Sequence, residues 1–513
     1  MKLVSDIMRL SGRDLRDSVL SILTEEWPLS AREIYKHVSK DYKINVTYQG
    51  VHKAVRQMAD EGLLVPREGR YSINLQWVNQ LVSFGKKVEG AYKANAASSP
   101  ALEVGAGSSA DKDAFEAGKE AARKALKGIN FNSKHQLALV FCSSSYDGYY
   151  DELLKGIRSV TGETPLAGCT TLGGEIFNGP LSKSVVVSIF SSDTDAFTAT
   201  THAISIPADA YKGKTKELER RMARAVSARP NEKGFGIVLF PGYTMANGMR
   251  TAALFAMPIL SRLFGKNFPL IGGLAGDDWK FTRTVLLKDG EITEDSIVFV
   301  KVSTSLPFEL QNASGYFRKN APKYALTFNQ KGHLTQLTPK TPNGKPMNAI
   351  AGYSKAAGVS EAIIRKYLPR FLKDTASMNL LPPLISLDGN RVCFPLDVCP
   401  SDLTLTIQPG FKSGDVAQIG STSPQKMVEV TGNLAKQTIS SIGKPACMLL
   451  FPCGLFEAVI SRAGLDEVAA AKAHMPKGAP IVGFYCSGEI GGKAFPLANG
   501  TVSALVIGNE RRD

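Results

Sequence analysis

The sequence predicts a multidomain protein: a small N-terminal α+β unit, then a large α/β region built of repeated β-α-β-β units in mixed sheets. One motif occurs three times, as Pro165-Leu-Ala-Gly-Cys-Thr-Thr-Leu-Gly-Gly-Glu175, Pro269-Leu-Ile-Gly-Gly-Leu-Ala-Gly-Asp277 and Pro480-Ile-Val-Gly-Phe-Tyr-Cys-Ser-Gly-Glu489. Each copy follows an apolar run, a loop and a helix-like segment, and precedes another apolar run. This periodicity indicates a repeated structural module. Before residue 93 the pattern is helical and unlike anything later.

Each copy of the motif predicts a buried strand that ends in a loop carrying small polar residues and one carboxylate. A glycine allows another group to approach the backbone closely. Ligands of α/β sheets usually lie beyond the strand ends, so we expect these loops to bind a small ligand. The candidate ligand-binding residues are Gly168, Cys169, Thr170, Thr171, Glu175, Gly272, Gly273, Asp277, Asp278, Cys486, Ser487, Gly488 and Glu489.

Two other interpretations of the motif stay open. Glycines at a bend and an acid that caps the next turn are also what tight α/β packing needs, and duplication copies structural features as faithfully as functional ones. Cys169 and Cys486 occupy comparable places in the motif, so a cysteine-dependent enzyme is an alternative. No histidine accompanies either cysteine in sequence, and we predict no catalytic residue, no cofactor and no enzymatic activity.

Composition narrows the classes of function. A chain of 513 residues is too long for one core, and 43% hydrophobic with 21% charged residues is ordinary globular usage. No apolar segment is long enough to span a membrane and the N-terminus lacks a secretion signal, so we expect a cytoplasmic protein without a membrane partner. Seven cysteines without Cys-x-x-Cys support neither a disulfide framework nor a metal site. The net charge of +14 favours an anionic partner.

Residues 13–75 predict a compact helical unit followed by a hairpin. A first helix covers Arg13 to Thr24, and Ser30 with Glu33 forms a capping box that opens a second. Thr47 is a good N-cap for a third helix that ends at Gly62. Two short strands then flank a basic turn, Pro66-Arg-Glu-Gly-Arg70.

This order of elements is that of a winged helix-turn-helix, and Val55-Arg-Gln-Met-Ala-Asp-Glu-Gly-Leu-Leu-Val65 resembles the end of that family's recognition helix. The resemblance implies that the third helix enters the major groove of double-stranded DNA and that the hairpin touches its backbone. The candidate DNA-binding residues are Tyr48, Gln49, His52, Lys53, Arg56, Arg67 and Arg70. Such modules also bind proteins, and residues 1–95 are only weakly basic, with 15 Lys+Arg against 11 Asp+Glu.

Residues 75–92 predict a further amphipathic helix, which either packs on the N-terminal unit or pairs two chains as a homodimer. Residues 93–111, rich in Ala, Ser and Gly, predict a flexible linker. The expected domains are therefore 1–92, 112–305 and 306–513, joined by the linker 93–111.

The motifs of residues 112–510 resemble the FIST sensory domain family. Its N-terminal half is matched by Phe141-Cys-Ser-Ser-Ser-Tyr-Asp147 and by the first two copies of the repeated motif, the second continuing through Asp278. Its C-terminal half is matched by Gln408-Pro-Gly-Phe-Lys-Ser-Gly-Asp415, Phe451-Pro-Cys453 and the third copy. The resemblance implies an intracellular domain that binds small molecules such as amino acids, and it supplies no catalytic set.

Together these inferences predict a one-component transcriptional regulator, a small-molecule sensor whose N-terminal module binds DNA, with an amino acid or small organic acid as the ligand. The alternative is a signalling sensor whose N-terminal module binds protein.

Overall fold

The computed structural model describes residues 15–42, 44–96, 100–129, 134–192, 195–226, 233–244, 251–265, 268–318, 321–368, 381–387, 391–399, 401–408, 410–491 and 497–510. The chain forms two units, Met1–Ser99 and Pro100–Asp513. In the described part, no helix is both long and apolar enough to cross a membrane.

The first unit contains the predicted helices and hairpin. Both bonds of the Ser30 capping box are present, and Gly50 N donates to the Thr47 hydroxyl at 3.1 Å. Val51, Val55 and Met58 are buried on one face of the third helix, because they recur at helical spacing. The elements are α1 Leu15–Glu25, β1 Leu29–Ser30, α2 Ala31–Lys40, α3 Tyr48–Asp60, β2 Leu64–Arg67, β3 Arg70–Ile73 and α4 Leu75–Ala96, with the three strands in the order β1-β3-β2.

The second unit is mixed α/β with several mixed sheets, and it contains three repeats of one topology. In each repeat a first strand and a helix precede two parallel strands with helical segments between them, then a short antiparallel pair and a long last strand. The first repeat comprises β4 Glu103–Ser109, α5 Ala114–Leu126, β5 His135–Cys142, α6 Tyr150–Thr161, β6 Leu166–Thr170, β7 Glu175–Phe177, β8 Pro180–Leu181 and β9 Val185–Ser191.

The second repeat has the same order and is joined directly to the first. It comprises β10 Phe197–Ser205, α7 Lys216–Val226, β11 Gly234–Phe240, α8 Ala253–Phe264, β12 Leu270–Leu274, β13 Leu286–Lys288, β14 Glu291–Thr293 and β15 Ser296–Thr304.

The third repeat is interrupted after its first strand by residues 317–421. It comprises β16 Phe308–Ser314, α11 Pro424–Ser440, β26 Pro445–Pro452, α12 Gly454–Ile460, α13 Glu467–Lys472, β27 Ile481–Phe484, β28 Glu489–Ile490, β29 Leu497–Ala498 and β30 Thr501–Gly508. The insertion comprises β17 Phe317–Arg318, β18 Tyr324–Phe328, β19 Leu334–Pro339, β20 Met347–Asn348, α9 Ala349–Ala357, α10 Glu361–Tyr367, β21 Leu384–Ser386, β22 Val392–Cys393, β23 Pro395–Cys399, β24 Thr404–Ile407 and β25 Val416–Ser421. Its strands form a sheet of their own.

The three repeats exchange their short antiparallel pairs in a cycle. The pair of the first repeat joins the sheet of the third through β7 and β27. The pair of the third joins the second through β28 and β12, and the pair of the second joins the first through β13 and β6. The predicted boundary between residues 305 and 306 falls where the second repeat ends, but strands cross it, so residues 112–305 and 306–513 belong to one unit.

A shared apolar core lies between the inner faces of the three sheets. At its centre the Phe141 and Phe484 rings are 4.8 Å apart and the Phe451 and Phe484 rings 5.4 Å apart. Each of these rings comes from a parallel strand of the first or third repeat, while α5 and α6 cover the outer face of the first sheet.

The predicted linker over residues 93–111 is wrong for most of its length. Helix α4 reaches Ala96, residues 97–99 lie outside the described part, and residues 103–109 form β4, which pairs with β9 along its whole length. Small residues occur in this strand because α5 packs directly on it. A Cβ added to Gly105 would lie 1.9 Å from the Ala125 carbonyl oxygen, so the composition reflects close packing and not flexibility.

Candidate functional site

The predicted ligand residues occupy the strand ends where the repeats meet, and most of them contact other parts of the protein. The Thr170 hydroxyl accepts from Val285 N at 3.0 Å, and the Ser487 hydroxyl donates to the Ala275 carbonyl at 2.7 Å. Gly488 accepts from Leu274 N through its carbonyl at 2.9 Å. These contacts join neighbouring repeats and use both hydroxyls and the Gly488 carbonyl within the protein.

The glycines of the motif allow backbone to approach backbone. A Cβ added to Gly168 would lie 2.1 Å from the Val140 carbonyl oxygen, and one on Gly272 would lie 2.0 Å from that of Val238. At Gly273 the close neighbour is a side chain, since an added Cβ would lie 2.3 Å from the Cys486 sulfur. Strand packing, and not a ligand, explains these glycines.

The first carboxylate, Glu175, is enclosed in a complete hydrogen-bond network. Its Oε1 accepts from the Thr171 hydroxyl at 2.9 Å, and its Oε2 accepts from the Ser184 hydroxyl at 2.7 Å and Ser184 N at 3.3 Å. The side chain is fully buried, and this burial raises its pKa to about 8. Glu175 therefore holds the start of the exchanged pair against the start of β9.

The second carboxylate is not the counterpart of the other two. In the exchanged pairs, Glu175 lies opposite Phe484 and Glu489 lies opposite Gly273. Each of these partners directly follows the first glycine of a repeated motif. In the second repeat the residue at the equivalent position is Leu286, which lies opposite Cys169. The prediction of an equivalent acid in every copy is thus wrong, because a longer loop precedes the second pair. Sequence spacing alone could not reveal this shift.

Asp277 instead holds its own loop together. Its Oδ1 accepts from Phe281 N at 2.7 Å, and its Oδ2 accepts from Thr282 N at 2.6 Å, the Thr282 hydroxyl at 2.9 Å and Arg283 N at 2.9 Å. The loop contains Phe281 at φ 55°, a left-handed conformation that costs free energy in a non-glycine residue. The carboxylate offsets that cost by satisfying three backbone donors of the loop.

Replacing Asp277 with alanine should therefore destabilise the protein by about 3 kcal/mol, because each lost bond to a charged acceptor leaves a donor unsatisfied. Urea unfolding of the full chain measures the change, with Asp151→Ala on the exposed face of α6 as the control. Equal unfolding free energies for the two variants would contradict the structural role of Asp277.

Asp278 fixes the end of β5 in the first repeat. Its Oδ2 accepts from the Ser143 hydroxyl at 2.8 Å, Ser144 N at 2.8 Å and the Ser144 hydroxyl at 2.6 Å. Lys280 donates to the same Ser144 hydroxyl at 2.9 Å. Arg283 pairs with Asp147 and Glu294, so its charge is used within the protein.

The third carboxylate, Glu489, has one oxygen in use and one open. Its Oε2 accepts from Thr501 N and from the Thr501 hydroxyl, both at 3.0 Å. Among the described residues, its buried Oε1 has no hydrogen-bond partner. The thiol of Cys453, a weak donor, interacts with the carboxyl and lowers its pKa slightly against the effect of burial. Burial raises the pKa of Glu489 to about 8.

A second open polar atom lies in the same region of the unit as this carboxyl. The Tyr243 side chain is 4% exposed, and within the described ranges its hydroxyl likewise has no hydrogen-bond partner. Burial raises the pKa of Tyr243, and the charges of Cys393, Glu489 and Cys453 raise it further. Tyr243 also belongs to the same apolar cluster as Ile490, the residue next to Glu489. A buried polar atom without a partner costs free energy, so two in one place indicate a site that a ligand completes.

The sequence analysis did not find Tyr243. The signal was present, because Phe240-Pro-Gly-Tyr243 ends β11 at the place where Phe451-Pro-Cys453 ends β26. Comparing the strand ends of the repeats, as well as the glycine motifs, would have found both Tyr243 and Cys453. Cys393 comes from the insertion and lies outside the motif recognised there, Gln408-Pro-Gly-Phe-Lys-Ser-Gly-Asp415.

The cysteine positions do not support a nucleophile. In the parallel strand pairs, Val140 lies opposite Gly168 and Leu450 lies opposite Gly483, so these two glycines are equivalent. The residue after each glycine is Cys169 in the first repeat and Phe484 in the third. Cys169 is therefore not equivalent to Cys486. Both thiols are fully buried, and burial raises the pKa of each well above its ordinary value. The thiolate form is therefore disfavoured at neutral pH.

A surface cleft of about 530 Å³ lies elsewhere, beside the first turn of α11. Its lining includes Tyr316, Pro383 and Arg462 and none of the predicted ligand residues. We place the candidate site at Glu489 and Tyr243, where the chemistry is incomplete, and not at this cleft.

The predicted DNA-binding residues lie together on the first unit. Tyr48, Gln49, Lys53 and Arg56 are exposed on α3, on the side away from its buried face, and His52 is half-buried. Arg67 is exposed at the end of β2. Arg70 is less available than expected, because it donates to the Pro28 carbonyl at 2.9 Å and pairs with Glu33 at 3.4 Å.

Two family models match the chain. The FIST N domain matches residues 136–324, and the FIST C domain matches residues 362–492. No curated protein matches the chain in sequence. The first match contains the first two repeated motifs, and the second contains Cys453 and Glu489. Together the two models cover more than half of the chain, which therefore belongs to the FIST family, whose domains are sensor domains of signal transduction.

Proposed function

We propose that the protein is a one-component regulator in which the FIST region binds a small, amino-acid-like molecule and the N-terminal unit binds double-stranded DNA in the cytoplasm. The observation that carries the sensor function is a pair of buried atoms, Glu489 Oε1 and the Tyr243 hydroxyl, for which the described part of the chain offers no hydrogen-bond partner. The site joins the second repeat, the third repeat and the insertion, so a ligand there would contact segments far apart in sequence.

The two faces of α3 support the DNA-binding half of the proposal. Its apolar residues face the core of the unit, and the opposite side presents amide, imidazole, ammonium and guanidinium groups. Such groups bind phosphates and base edges. The winged helix-turn-helix assignment and the groove contacts are part of this proposal.

Coupling between the two functions requires the ligand to bind two states of the protein with different affinity. The usual difference is about 1 to 3 kcal/mol. Helix α4 follows the hairpin directly, and its Leu81, Val82 and Phe84 are half or more exposed. We propose that this helix reports ligand binding, by pairing two chains in a geometry that suits a palindromic DNA site.

The double variant Lys53→Ala/Arg56→Ala tests DNA binding. Losing two phosphate contacts should weaken affinity for duplex DNA and lower the slope of log K against log salt by about 2. Fluorescence anisotropy with the full chain between 50 and 200 mM salt, on labelled random-sequence duplex, measures both quantities. Lys86→Ala/Lys87→Ala on the exposed part of α4 removes the same charge and serves as the matched control.

The competing function is a sensor whose N-terminal module binds a protein. The exposed apolar residues of α4 favour it, because such residues form protein interfaces. If Lys53→Ala/Arg56→Ala keeps the DNA affinity and the salt slope of the control, the DNA-binding proposal fails and this alternative replaces it.

A further inference from the structure

The first and third repeats contain the same carboxyl position with different surroundings. Glu175 and Glu489 each begin an exchanged strand, and each accepts a backbone N–H and a hydroxyl from the residue at the start of the long last strand. These donors are Ser184 in the first repeat and Thr501 in the third. One oxygen of each acid is thus held in an equivalent way.

The other oxygen distinguishes the two repeats. In the first, the Thr171 hydroxyl donates to Glu175 Oε1 at 2.9 Å. Backbone hydrogen bonds identify the residue of the third repeat that is equivalent to Thr171. Thr171 N donates to the Cys142 carbonyl at the end of β5. Cys486 N donates to the Pro452 carbonyl at the end of β26, the equivalent strand. The counterpart is therefore Cys486, whose sulfur lies 3.5 Å from the Phe484 carbonyl oxygen instead. The third repeat lacks the hydroxyl that closes the network in the first.

We infer that Glu489 Oε1 receives the hydroxyl or ammonium group of a small ligand, at the position that the Thr171 hydroxyl fills in the first repeat, with the Tyr243 hydroxyl as the second contact. This inference rests on the proposed sensor function and specifies its ligand. The recognised chemistry is a hydrogen-bond donor, because the equivalent oxygen of Glu175 accepts from the Thr171 hydroxyl, and a ligand that offers only a carboxylate lacks such a donor. In the first repeat the Thr171 hydroxyl already occupies the position that we assign to the ligand.

The test is to place the missing hydroxyl in the third repeat. Cys486→Thr supplies a donor to Glu489 Oε1, and Cys486→Val has the same branched shape without the hydroxyl, so the steric cost of the branch is matched. We expect full-length Cys486→Thr to melt about 1 to 2 °C above Cys486→Val, because one buried hydrogen bond is gained. A melting temperature of Cys486→Thr no higher than that of Cys486→Val would overturn the inference.

Three probes, each with three carbon atoms, then define the ligand chemistry. Saturation-transfer NMR on the full chain would use n-propylammonium, 1-propanol and propionate. We expect the ammonium or the alcohol to bind wild type and Cys486→Val and to lose that signal in Cys486→Thr, and the probe that binds names the donor. Equal binding of propionate, no binding of either donor probe, or an unchanged signal in Cys486→Thr would overturn the inference.

Tyr243→Phe keeps the test decisive if Cys486→Thr folds poorly. The hydroxyl that it removes has no partner among the described residues, so the melting temperature should not fall, whereas the probe signal should. An undiminished probe signal in a folded Tyr243→Phe would remove Tyr243 from the site. These readouts are independent of DNA binding, so a failed DNA-binding proposal and a failed ligand inference give different results.

Discussion

Replacing Gly105 with alanine is expected to destabilise the protein by about 3 kcal/mol, because strand β4 has no room for a side chain at this position. The new Cβ would lie 1.9 Å from the Ala125 carbonyl oxygen and 2.9 Å from Ile129 Cγ1. The first of these contacts is backbone and cannot rotate away. Relief of the clash requires α5 to move off β4, which exposes the buried alanines of the helix.

Urea unfolding of the full chain measures this effect. Gly128→Ala is the matched control, since its added Cβ would be 3.6 Å from the nearest atom, an ordinary contact. We expect that variant to stay within about 0.5 kcal/mol of the wild type. If residues 103–109 were a flexible linker, both substitutions would be harmless, and an unchanged unfolding midpoint for Gly105→Ala would contradict the observed packing.

Folding stability is expected to fall steeply as the pH rises from about 5 to 8, because buried carboxyl groups favour their protonated form. Burial raises the pKa of Glu175 and of Glu489 to about 8, and that of Glu467 to about 7. Their stabilising contribution is complete below the ordinary carboxyl pKa of about 4.3 and is lost as the pH approaches the folded-state pKa. Each group lowers the free energy of unfolding by about 1.4 kcal/mol per pH unit in that interval.

Urea unfolding at several pH values between 5 and 8.5 checks this expectation. Glutamine resembles the protonated acid, so Glu175→Gln should reduce the pH dependence and raise stability at pH 8 relative to wild type. Glu152→Gln, on the exposed face of α6, is the control that should leave the dependence unchanged. A pH dependence in Glu175→Gln as steep as that of the wild type would show that this carboxyl ionises normally in the folded protein.

Much of the local structure could be predicted from the sequence. The capping box at Ser30, the cap at Thr47 and the ends of the three repeated motifs depend on residues within a few positions of one another. Helical and strand periodicity within such short windows does not depend on what the rest of the chain does. For the same reason the family resemblance, which rests on ordered local motifs, agreed with the matching domains.

The candidate site was only half predictable. Glu489 was identified as the acid of the third motif, but nothing local distinguishes its open oxygen from the fully bonded one of Glu175. The difference depends on the side chain at one equivalent position, which is Thr171 in the first repeat and Cys486 in the third. Only the strand pairing shows that these two positions are equivalent. Glu489 lies in the same sheet as β11, the strand that precedes Tyr243, because β28 of the third repeat pairs with β12 of the second.

The sequence by itself determined the repeat, its strands and the family, because periodicity, caps and glycine motifs act over short distances. The tertiary structure decided what the small residues are for. It made Gly105 a packing position and not a linker, assigned Asp277 to its own loop, and exchanged the short strands among the three repeats. The strand exchange depends on pairing between residues more than a hundred positions apart, such as Leu286 with Cys169 and Gly273 with Glu489, and that pairing leaves no local mark in the chain. The roles of Gly105 and Asp277 depend on how α5 and one loop fold back, which periodicity does not show.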